Sequence, residues 1–158
     1  MKHTISVTVE NRPGVLSRVV GLFSGRGFNI ESLSVGETID PEISRIIIVT
    51  RGDDRIIEQV TKQLRKLVDI IKVTDLTDLN FVDRELILIK ISATEKTKAE
   101  ILRINDIFRG KIVDVSPATY TFEVTGDESK IQAFIRLVKP FGVKEISRTG
   151  VVAVSREV

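Results

Sequence analysis

Asn11, Gly14 and Asn29 are the residues of this chain whose types and spacing could do chemistry on a small molecule. They lie in one stretch, Glu10 to Val35, with the sequence ENRPGVLSRVVGLFSGRGFNIESLSV. An asparagine amide carries both donors and acceptors, so Asn11 and Asn29 could take an ammonium group and share a carboxylate. Gly14 has no side chain, and a ligand could approach its backbone closely. Val15, Leu16, Val19, Val20 and Phe23 recur at helical spacing, which predicts a helix beginning beside Gly14 and stopped by Gly25 and Gly27. A helix start presents unpaired N–H groups and a partial positive charge, which can hold a small anion. Carboxylate, ammonium and a nearby apolar wall describe a site for a free amino acid. The same residues also fit local roles: Asn11 as a helix cap, Gly14 as a turn residue, Asn29 as the head of a strand. Residue types alone leave both readings open.

Other chemistries find few groups. The single histidine, His3, sits in an alternating N-terminal run and is expected to be a strand surface residue rather than a base. There is no cysteine, which removes disulfides, a thiol nucleophile and thiolate metal sites and leaves zinc without ligands. The acidic pairs Asp53-Asp54, Asp75/Asp78 and Asp127-Glu128 fall at element ends and read as caps and solvated turns. A net charge of +2, scattered along the chain, and 5% aromatic residues give no case for nucleic acid. The N-terminus alternates like a strand and not like a signal peptide. No stretch approaches the roughly 20 apolar residues of a membrane span, so a cytoplasmic protein is expected.

The elements that must position these residues follow from periodicity. His3 to Glu10 alternates as a strand, and the Val15–Phe23 helix comes next. Phe28 to Thr38 and Ser44 to Thr50 are strands around an Asp40-Pro41 turn. Asp53 is a cap, Ile56 to Leu67 a second amphipathic helix, and Val68 to Leu76 a fourth strand. The order is βαββαβ, the split ferredoxin-like arrangement. It repeats as a strand over Arg84 to Ser92, a helix opened by a possible capping box at Thr97 to Glu100, and strands over Lys111 to Val115 and Thr119 to Thr125. A helix from Gly126-Asp127 to Pro140 follows, then one last strand or two short ones interrupted at Gly150. The expected fold is α+β, with two such units in tandem: residues 1–77, a linker at 78–83, and residues 84–158. Strands apolar on both faces, Ile46 to Val49 and Leu86 to Ile91, imply that the sheet face away from the helices is covered too. The cover is either the other half of the chain or another chain, and a dimer is the expected assembly.

At this point the residues become specific. Glu10-Asn11-Arg12-Pro13-Gly14-Val15-Leu16 followed by Phe23-x-x-x-Gly27-Phe28-Asn29-Ile30 resembles the ACT domain, a small amino-acid-sensing module. The run from Leu22 to Leu33 resembles one branch of it, the regulatory (small) subunit of acetolactate synthase. The likeness continues through Asp40-Pro41, Ser44-Arg45, Gln63 to Val68, Arg84-Glu85-Leu86, Ile107 to Val115 and Arg148 to Arg156, essentially the whole chain.

The resemblance implies a subunit that is not itself catalytic and carries no cofactor. Its partner would be the large subunit, which would hold thiamine diphosphate, Mg and FAD and make acetolactate for branched-chain amino-acid synthesis. The small subunit would stimulate that enzyme and confer feedback inhibition, usually by valine. The effector would sit where two ACT domains meet in a homodimer, between one copy's first helix turn and its neighbour's second strand. Asn11, Gly14 and Asn29 would hold the polar groups of valine, and Val15, Leu16, Ile30 and Val35 would line its apolar part. Many ACT domains carry Asp where this chain has Asn11, and a neutral amide avoids a fixed negative charge beside the effector carboxylate. The Asp40–Ser44 loop is a candidate contact with the large subunit. The competing reading is a stand-alone amino-acid sensor, which would call for a DNA-binding element that the sequence does not show.

Overall fold

The computed structural model describes residues 1–156. The chain divides into two compact units, Met1–Val82 together with the segment from Val151 onward, and Asp83–Gly150. The first unit contains β1 (Lys2–Glu10), α1 (Val15–Ser24), β2 (Ile30–Glu37), β3 (Ile43–Arg51), α2 (Asp54–Arg65) and β4 (Ile70–Asp75). Its strands form an antiparallel sheet in the order β2-β3-β1-β4. Alternation along β1 decides which face meets the helices. Ile5, Val7 and Val9 are buried against Val19 and Phe23 of α1 and Ile57 and Leu64 of α2. Asp53 starts α2 as expected, its carboxylate accepting the Arg55 N–H at 2.8 Å.

The second pass of the same pattern is β5 (Phe81–Ser92), α3 (Lys98–Ile107), β6 (Lys111–Val115), β7 (Thr119–Gly126), α4 (Glu128–Val138) and β8 (Val143–Arg148). The sheet order is β6-β7-β5-β8, so both units are ferredoxin-like. Ile87, Ile89 and Ile91 pack with Ile101, Phe122 and Phe134. Asp127 caps α4 by accepting the Lys130 N–H at 3.0 Å. That bond, with one from the Ser129 hydroxyl, holds the Asp127 carboxyl below the ordinary carboxylate range. The capping box expected at Thr97 and Glu100 does not form. The Thr97 hydroxyl is instead engaged by Thr94, whose N–H reaches it at 2.9 Å, and among the described residues no side chain caps α3.

The sheet face away from the helices corrects the expected boundaries. Ile46 and Ile48 of β3 join the helix-side core, whereas Ile47 faces the other way and is still only 3% exposed. It is covered by Leu76 and Ala153, with Phe81 and Val151 packed beside them. The cover is the chain's own last strand, β9 (Val152–Ser155). It is tied down where the Val151 N–H donates to Ser32 Oγ and the Arg156 N–H donates to the Asn80 carbonyl, both at 2.8 Å. The segment from Val151 therefore belongs to the first unit, whereas the sequence boundaries assign it to the second. In β5 the same double-faced pattern ends differently, since Leu88 remains 43% exposed. Ala153→Ser tests the cover over Ile47, because it puts a hydroxyl into an apolar contact. We expect a loss of about 1–2 kcal/mol in denaturant unfolding. A stability equal to that of the parent would show that this face is hydrated.

Candidate functional site

The first turn of α1 is built on Gly14, which is the cap residue and sits in the left-handed region at φ 85°. A side chain there is strained whatever space surrounds it. Asn11 is not the cap. Its amide donates to the Pro41 carbonyl at 2.9 Å and to Glu37 Oε1 at 3.3 Å, and its backbone N–H donates to the Glu42 carbonyl at 2.7 Å. A capping side chain must flank the first turn to reach its N–H groups, and Asn11 is held instead by the β2–β3 turn. Among the described residues no side chain caps α1. The Arg18 N–H donates to the Gly14 carbonyl at 3.1 Å, and the Leu16 and Ser17 N–H groups have no backbone acceptor among the described residues.

Beside Asn11 lies a hollow of about 350 Å3 rimmed by Glu10, Arg12, Asp40 and Glu42, with Ile43 and Ile71 in its wall; Arg12 is paired with Glu10 at 3.2 Å. With Glu10 paired to Arg12, Asp40 and Glu42 leave the hollow net negative and favourable to an ammonium group, while the open N–H groups of α1 favour a carboxylate. The end of β1 and the start of α1 thus present the two polarities of an amino acid side by side.

Asn29 stands elsewhere. Its carbonyl accepts the Thr50 hydroxyl at 2.8 Å, and Ile30 after it pairs with Thr50, while Glu37 at the far end of β2 pairs with Ser44. Asn29 and Asn11 are therefore at opposite ends of β2, a strand that spans about 23 Å at ~3.3 Å per residue. A single copy of the chain does not bring them together. Of the apolar candidates, Val15 is buried in the core and Ile30 is half-buried against it, whereas Leu16 and Val35 are 37% and 51% exposed.

The position of Asn29 depends on Gly52. A Cβ on Gly52 would fall 1.5 Å from Phe28 Cε1, so the ring of Phe28 lies directly on the glycine backbone. Gly52→Ala must move that ring and the Asn29 backbone next to it. We expect a loss of about 1–2 kcal/mol and a displaced Asn29 amide resonance. An unchanged spectrum around residues 28–30 would refute this dependence.

His3 is not a surface residue. It is 4% exposed, with Nδ1 2.9 Å from Asp75 Oδ2 and Nε2 2.9 Å from Asp54 Oδ1. Both ring nitrogens face carboxylates, so the arrangement is best satisfied when both carry protons. Burial disfavours the charged ring, but the bonds and charges of Asp75 and Asp54 outweigh it and raise the His3 pKa above its ordinary value. Asp75 Oδ1 in turn accepts the Thr77 N–H at 3.0 Å, and the Thr77 hydroxyl receives the Thr4 N–H at 3.0 Å. The network fastens the start of α2 and the end of β4 to β1.

Comparison with known proteins decides the family. A family model described as the small subunit of acetolactate synthase matches residues 84–157, and one described as an AHAS small subunit-like ACT domain matches residues 5–72. The chain is 59% identical over 157 residues to the acetolactate synthase small subunit of Aquifex aeolicus, covering 99% of this chain and 82% of that one. It is 49% identical to the same-named protein of Mycolicibacterium smegmatis, covering 98% and 91%. The chain belongs to the acetolactate synthase small-subunit family. The crystal structure of the Thermotoga maritima acetolactate synthase small subunit superposes with a TM-score of 0.90 at 47% identity, over 100% of this chain and 99% of that one.

Every candidate effector residue lies within the stretch that matches the small-subunit ACT domain. One feature of the site region escapes a reading by residue type. The His3 network was visible in principle, since His3 shares the odd-numbered face of β1 with Ile5, Val7 and Val9. The carboxylates that meet it come from positions 51 and 72 residues further along, and only folding pairs them. Among the described residues no helix is long and apolar enough to cross a membrane.

Proposed function

We propose that this member of the small-subunit family is a regulatory and non-catalytic subunit working in the cytoplasm. It binds the large catalytic subunit of acetolactate synthase, stimulates it and makes it sensitive to feedback inhibition by valine. It carries no cofactor of its own; thiamine diphosphate, Mg and FAD belong to the large subunit. The observation that carries the effector reading is the uncapped start of α1 at Gly14 beside the acid-rimmed hollow at Asn11. An effector carboxylate binds to the open N–H groups and its ammonium to the hollow.

The separation of Asn11 from Asn29 supports a homodimer. β2 is an edge strand of its sheet, with Val35 exposed on it. A two-fold axis through the middle of β2 sets one copy's Ile30 opposite the other's Glu37, the residue that Asn11 touches. Asn29 of one copy then reaches the α1 turn of the other, and Gly14, Asn11, Asn29, Leu16, Ile30 and Val35 form one pocket, with Val15 supporting it from the core. Because valine bridges two copies, it shifts whichever equilibrium depends on their arrangement.

Reconstitution with the large subunit tests the reading. Added small subunit should raise the rate of acetolactate formation, and valine should lower it only when the small subunit is present. A large subunit whose rate and valine response are indifferent to this chain would overturn the proposal.

A further inference from the structure

The sheet face of the first unit that points away from α1 and α2 holds a second hollow, of about 290 Å3. Its floor is polar. Thr8 of β1 is flanked in register by Arg45 on β3 and by Lys72 on β4, and Thr74 lies beside Ser6 one step along. Strands are about 4.8 Å apart, so the two cations stand on backbones about 10 Å apart with a hydroxyl between them. Neither Arg45 nor Lys72 has an ion-pair partner among the described residues, and no acidic residue lines the hollow. Ser6 is 9% exposed and lines the hollow, yet its hydroxyl has no hydrogen-bond partner among the described residues. Leu76 and Ala153 form the apolar wall.

Two like charges gathered around one hydroxyl repel each other unless an anion joins them. The Ser6 and Thr8 hydroxyls line the same hollow and can donate to an anion held there. One guest answers the cations and the hydroxyls together. We propose that this hollow is a binding site for a small carboxylate that carries a short aliphatic chain and no ammonium group. The carboxylate bridges Arg45 and Lys72 and accepts from Thr8 and Ser6, and the aliphatic part rests on Leu76 and Ala153. An ammonium-bearing acid is disfavoured here, because among the described residues the hollow offers cations and no carboxylate. The volume stands at the small end of ligand pockets, about 300–1,000 Å3, which suits an acid of this size. The site is separate from the effector residues, which cluster around α1 and β2.

The test is titration of the full chain with isobutyrate, by calorimetry and by amide shifts in the isotope-labelled protein, with inorganic phosphate as the comparison. Isobutyrate should bind saturably at millimolar or lower concentration and shift the amides of Ser6, Thr8 and Thr74. Affinity should fall by about tenfold or more in Arg45→Gln and in Lys72→Gln, as expected for a lost charged hydrogen bond, and persist in Gly14→Asp. Both cations are exposed, so neither exchange disturbs the core. Absence of isobutyrate binding, binding that survives both exchanges, or shifts centred on α1 would each overturn the proposal. Binding of phosphate without isobutyrate would overturn the assignment to an aliphatic acid.

Discussion

Gly14→Asp abolishes valine binding, and Asn29→Ala weakens it by about 10- to 100-fold, while both proteins remain folded. The first exchange acts in two ways. It sets a carboxylate at the helix start proposed to receive the effector's own carboxylate, and it forces a side chain onto a residue at φ 85°. The backbone strain amounts to about 1–2 kcal/mol, which a folded domain tolerates. A Cβ at this position meets only Arg18 Nη1, at 3.5 Å, so the change does not reach the core. Asn29→Ala removes one side chain whose proposed hydrogen bonds to the charged effector would be worth about 1.5–3 kcal/mol each, hence the smaller factor. Asn29 holds Thr50 through its backbone carbonyl, and alanine keeps that bond. Calorimetric titration with valine, in the presence of the large subunit, reads the affinity, and a thermal melt of each variant checks the fold. A folded Gly14→Asp protein that binds valine as the parent does would remove the site assignment.

His3→Ala destabilises the protein by about 3 kcal/mol near pH 6. It deletes two bonds to carboxylates and leaves Asp54 and Asp75 without the cation between them. Asp54 is largely exposed and Asp75 much less so, so most of the loss falls on the β1–β4 side. The pH dependence has a definite sign. The folded-state pKa of His3 is raised above its ordinary value, so the folded protein binds this proton more tightly than the unfolded chain does. The contribution is complete below the unfolded pKa of about 6.5. It declines as pH rises and is lost above the folded pKa. Denaturant unfolding across this range should show falling stability in the parent and a flatter profile in His3→Ala. Direct titration of the ring by NMR should give a pKa above 6.5. A lower value, or identical pH profiles in the two proteins, would show that the network does not hold the proton.

The two sides of the first unit's sheet carry different chemistry for a topological reason. Helix packing closes one face with Ile5, Val7 and Val9, which leaves the start of α1 free at its rim. The opposite face alternates to Thr4, Ser6 and Thr8, and β9 covers only part of it. One strand therefore contributes a core to one side and a line of hydroxyls to the other.

The sequence by itself determined the two βαββαβ units, because period-two and helical hydrophobic patterns are properties of neighbouring residues. It determined the Asp53 and Asp127 caps for the same reason, since a cap acts within its own turn. The family followed from motifs along the whole chain, the run from Glu10 to Leu33 foremost. Tertiary structure alone decided three matters. It took Asn11 away from the α1 cap, because Gly14 occupies the cap position and the β2–β3 turn holds the Asn11 amide. It returned the segment from Val151 to the first unit, because the exposed side of Ile47 needed an apolar cover that local patterning cannot assign. It buried His3 between two carboxylates remote in the chain. In each case the deciding partner lies far along the sequence, where periodicity carries no information and only the closed sheet sets the distance.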